Sequence, residues 1–91
     1  MQNKDRKIAE EQIVNNIMTG KQVLQELSKI EIEENGGLSG LICQVKYNIV
    51  ESLRAYGLDC WVASVLSVDT EQTKDFNDFS RRIQQNVVVC Y

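Results

Sequence analysis

Histidine and proline are both absent from this 91-residue chain, and each absence excludes something. Without histidine there is no imidazole to take up or release a proton near neutral pH. Ser-His-Asp triads and imidazole metal ligation are therefore excluded. Without proline the chain lacks its firmest punctuation, so boundaries must be read from glycine and from hydrophobic spacing. Cysteine is scarce: Cys43, Cys60 and Cys90 form an odd set with no closely spaced pair. That spacing does not make a zinc site, and it points to a reducing, cytoplasmic setting without a covalent staple. The N-terminus agrees, having no cationic segment followed by an apolar run and a small-residue cleavage site.

Long apolar runs are missing too. None approaches the ~20 residues of a bilayer span, so no membrane association is expected. Neither GxxxxGK[ST] nor GxGxxG occurs. Gly36-Gly37-Leu38-Ser39-Gly40 precedes a helical pattern, but it follows no strand and contains no lysine, so it reads as a connecting loop rather than an anion cradle. A concentrated positive charge is also lacking. The net charge is −3, with five basic and seven acidic residues over positions 1–36 and three and four over 69–91. Affinity driven by phosphate contacts is not expected of such a surface. Lys4, Arg6 and Lys7, or Arg81 and Arg82, could form a local basic face, and the Arg81-Arg82 helix defines a minor reading as a nucleic-acid-binding regulator.

What is present is an ordinary globular composition, 43% hydrophobic and 25% charged, which excludes a disordered chain. Residues 1–91 are read as one domain with a frayed start over 1–5. Ile8, Ile13, Val14, Ile17, Met18, Val23, Leu24, Leu27 and Ile30 recur at steps of three and four, predicting a helix over 6–30 in which Gly20 marks a kink, a close helix contact or a break into two shorter helices. Residues 29–33 alternate before Asn35-Gly36-Gly37. That pattern is a hairpin signal, but the helical spacing of the residues that follow favours reading Asn35-Gly36-Gly37 as a helix–helix connection, with a hairpin as the alternative. Between Leu38 and Val68 only Lys46, Glu51, Arg54 and Asp59 are charged. Leu38, Leu41, Ile42, Val45, Ile49, Val50, Leu53 and Tyr56 share one helical face, predicting a helix over 38–56 that ends at a left-handed Gly57 with Leu58 packed beneath it.

Residues 60–68 are apolar on both faces and rich in β-branched side chains, so a buried strand is expected there. A helix over 70–85, with Phe76, Phe79 and Ile83 as its narrow stripe, and a strand over 87–91 complete the pattern. The fold class is thus α+β in the order α-α-β-α-β. It ends in a βαβ-like unit whose two-stranded sheet is completed by self-association or by a partner.

Chemistry is sparse. The one enzymatic opening is a minimal metal-dependent phosphoesterase or nuclease-like domain in which Glu51, Asp59, Glu71 and Lys74 converge on Mg²⁺. The spacing Glu71-Gln72-Thr73-Lys74 departs from the Glu-x-Lys pattern by one residue. The favoured expectation is a non-catalytic interaction or regulatory module, with no cofactor or metal, that binds itself or another protein. Tyr47, Arg54, Trp61, Val87, Val89 and Tyr91 are its interface candidates. Tyr47 and Arg54 project away from their helix's apolar stripe, Trp61 is an aromatic anchor for core or interface, and the last three lie on the open strand edge.

Overall fold

The computed structural model describes residues 3–87. Among them the chain forms five helices and no strand: α1 (Asn3–Glu26), α2 (Lys29–Glu34), α3 (Gly37–Ala55), α4 (Asp59–Leu66) and α5 (Phe76–Val87). The expected α+β class is therefore corrected to an all-helical one, and the described residues form no βαβ-like unit. The radius of gyration is 13.1 Å and the extents are 44 × 21 × 17 Å. A compact chain of this length would have a radius near 12 Å. The excess reflects α1, whose 24 residues run about 36 Å at 1.5 Å per residue.

α1 buries Ala9, Ile13 and Ile17 on one stripe, and Ile8, Leu24 and Leu27 pack partly against the core. The helix runs unbroken through Gly20. The reason is space rather than flexibility. A Cβ at position 20 would stand 2.5 Å from Val45 Cγ2 and 3.0 Å from a ring carbon of Phe76. The glycine lets the α1 backbone lie directly on α3 and on the first residue of α5.

The alternating residues 29–33 form α2, because a local capping box settles them as helix. Ser28 Oγ accepts from the Glu31 backbone N–H at 3.3 Å, and Glu31 Oε2 accepts from the Ser28 N–H at 2.7 Å. No residue of α2 is fully buried. Gly36 and Gly37, at φ 85° and 75°, turn the chain into α3. A side chain in the left-handed region costs about 1–2 kcal/mol.

α3 is the central element, packing against α1, α2 and α4. It buries Leu41, Ile42, Val45, Ile49, Val50 and Leu53. Its C-terminus closes on Gly57 at φ 70°. The Gly57 N–H donates to Arg54 O at 3.0 Å and the Leu58 N–H to Leu53 O at 3.1 Å, the paired bonds of a Schellman motif. Leu58 is buried beneath the turn.

The expected strand over 60–68 is helix α4. Leu58, Trp61, Val62, Val65 and Val68 are buried while Cys60, Ala63, Leu66 and Ser67 are exposed, a spacing of three and four rather than two. Val62, Val65 and Val68 raise β propensity, but that preference spans only about 1 kcal/mol and yields to packing. A strand here would also need a sheet neighbour for its backbone groups, whereas a helix bonds them internally. Ser64 Oγ and Ser67 Oγ donate back to the Cys60 and Ser64 carbonyls at 3.3 and 2.7 Å.

The last helix starts at Phe76, later than the expected 70. Thr70 and Thr73 are buried in the preceding turn, where Thr73 Oγ1 donates to Asp69 O at 2.8 Å. Lys46 Nζ donates to Val68 O at 2.8 Å and pins this segment to α3. Asp75 caps α5 by accepting from the Asp78 N–H at 2.8 Å. Phe76, Phe79 and Ile83 are buried as expected for a narrow stripe. Asn86 Nδ2 ties α5 to α4 through Ser64 O at 3.1 Å and Ser67 Oγ at 3.0 Å. Of the expected strand over 87–91, Val87 ends α5, and residues 88–91 lie outside the described residues.

Two substitutions test this packing. Gly20→Val should destabilise by about 1–3 kcal/mol through overpacking, lowering the urea midpoint with little change in slope. Phe79→Ala, at a fully buried site, should cost about 3–5 kcal/mol. That is a large share of the ~5–15 kcal/mol that holds a domain folded.

A candidate docking groove between α1 and α3

α1 and α3 run antiparallel, as two cross-helix pairs show. Asn16 Nδ2 donates to Ser52 Oγ at 3.2 Å, and Gly20 faces Val45. Beside this line of contact lies a groove of about 110 Å³. α1 lines it with Asn16, Thr19, Gly20 and Val23, and α3 with Leu41, Gln44, Val45 and Asn48. Each set is an i, i+3, i+4, i+7 row, the spacing that keeps residues on one helix face. The Phe76 ring also lines it. The two rows span roughly 10 Å along their helices.

No charged residue lines the groove. Leu41, Val45 and Phe76 are buried, Val23 is half exposed, and Gln44 and Asn48 are exposed. The arrangement is an apolar recess with amides at its rim. Pockets that enclose a metabolite-sized ligand hold about 300–1,000 Å³, so this recess is too small for one. It has room for a single apolar side chain.

The residues proposed for metal chemistry come from three different segments of the fold. Glu51 is exposed on α3, Asp59 is the exposed first residue of α4, and Glu71 and Lys74 are exposed in the segment before α5. Among the described residues no three His, Cys, Asp or Glu side chains are grouped so as to hold a metal ion. Of the interface candidates, Tyr47 is 56% exposed and Arg54 is exposed two turns further along α3. Trp61 is 1% exposed and belongs to the core; its Nε1–H has no hydrogen-bond partner. An unpaired buried N–H costs about 1–3 kcal/mol. Val87 is the last residue of α5, while Val89 and Tyr91 fall outside the described residues.

Cys43 is a half-buried free thiol, whereas Cys60, exposed on α4, is disulfide-bonded. That bond corrects the expectation of a chain without a staple. No helix among the described residues is long and apolar enough to cross a membrane.

Asp78 is the most constrained carboxylate, 7% exposed. It accepts from Arg81 Nη2, from the Lys74 backbone N–H at 3.1 Å and from Arg82 Nε at 3.1 Å. The Arg81 bond first, then the Lys74 N–H, hold its carboxyl far below the ordinary 3.8, with Arg82 adding to them and burial opposing. Both arginines of the expected basic pair are thus engaged by one carboxylate, which reduces what they offer a phosphate.

The groove escaped the sequence because a helix row becomes a groove wall only when its partner row is known. The one usable signal was Gly20, a residue with no side chain inside an apolar stripe. No protein-family model, curated protein or solved structure matches this chain.

Two measurements follow. A depressed native carboxyl pKa contributes stability that is present above the unfolded value and is lost as pH falls through the folded one. Asp78→Asn should therefore be less stable than the parent at pH 7, with the gap narrowing steadily below pH about 4 in urea melts. Millimolar Mg²⁺ should leave the amide resonances of Glu51, Asp59, Glu71 and Lys74 unshifted; a common saturable shift would revive the metal reading.

Proposed function

We propose that this chain is a non-catalytic interaction module whose α1–α3 groove receives an apolar side chain from another protein chain, a second copy of itself being the occupant to test. The observation that carries the reading is the groove's character: uncharged, apolar at its base, rimmed by amides and sized for one side chain. Well-packed pockets of this kind hold the anchor residues that dominate protein–protein affinity. The unengaged amides of Gln44 and Asn48 suit the polar rim of such an interface.

Self-association draws support from a second feature. Ile30 on α2 is 68% exposed, the most exposed of the large hydrophobic side chains described. One molecule therefore carries both a projecting apolar side chain and a recess, and a two-fold pair can use such a combination twice. Val14, Met18, Tyr47, Tyr56 and Leu66 are further exposed apolar groups. They lie outside the groove lining and supply additional contact area for a larger partner.

Sedimentation velocity from micromolar to millimolar concentration, paired with amide spectra over the same dilution series, tests the proposal. Reversible dimerisation is expected, with shifts centred on Gly20, Val23, Gln44 and Asn48. Val23→Glu and Ile30→Lys should each weaken it at least about tenfold, or about 1.4 kcal/mol, while leaving the helical content unchanged. A monomer throughout, with a spectrum indifferent to dilution, would rule out self-association.

A further inference from the structure

We draw no further inference here: the strongest candidate, the uncharged groove between α1 and α3, belongs to the site already described, and nothing else in the structure shows what covers it.

Discussion

The fold depends on how closely α1 can approach α3. At Gly20 the α1 backbone meets Val45 and the Phe76 ring with no side chain between them, so three helices converge on one point. Dispersion falls off steeply with separation, and a radial gap of even 0.5–1 Å forfeits a quarter to a half of each contact. Holding α1 close therefore tightens the packing of Ile13 and Ile17 as well. The same approach creates the groove, because a glycine between Asn16 and Val23 leaves the wall of α1 recessed. Stability and the candidate docking surface thus share one cause.

α3 organises what α1 does not. Its stripe is wide enough to serve α1 on one side and α4 on the other, with Ile49 and Val50 both buried. The Gly57–Leu58 turn then returns the chain at once, so Trp61, Val62 and Val65 lie against the helix they follow. α5 closes the remaining opening. Its entry is fixed by Asp75 and Asp78, two carboxylates that hold backbone N–H groups at the point where the helix begins.

The helices with sharp ends were the most legible in the sequence. For α3, Gly57 and the eight-residue stripe set an expected range of 38–56 against an observed Gly37–Ala55. For α1 the stripe was visible, but Gly20 reads equally as a kink or as a close contact until its neighbour is known. The misreading of α4 has a specific origin. Nine apolar or small residues carry both a period-2 and a period-3.6 interpretation, and Val62, Val65 and Val68 tipped the balance toward a strand. The buried set was present in the spacing of Leu58, Trp61, Val62, Val65 and Val68. Choosing it required knowing which residues pack against this segment. The groove was less legible still, since the pairing of two helices is a property of neither one.

α2 has a consequence for the time course of opening. It is held by a capping box and two left-handed glycines, yet none of its residues is fully buried. Local unfolding free energy follows buried contact, so this turn belongs to the low-stability end of the molecule. The stretch from Ser28 to Gly37 is therefore the part that can open at least cost to the α1–α3 pairing. Because the entropy of closing a loop grows only about 0.6 kcal/mol with each doubling of its length, the α1–α3 hairpin has little stake in how long that stretch is.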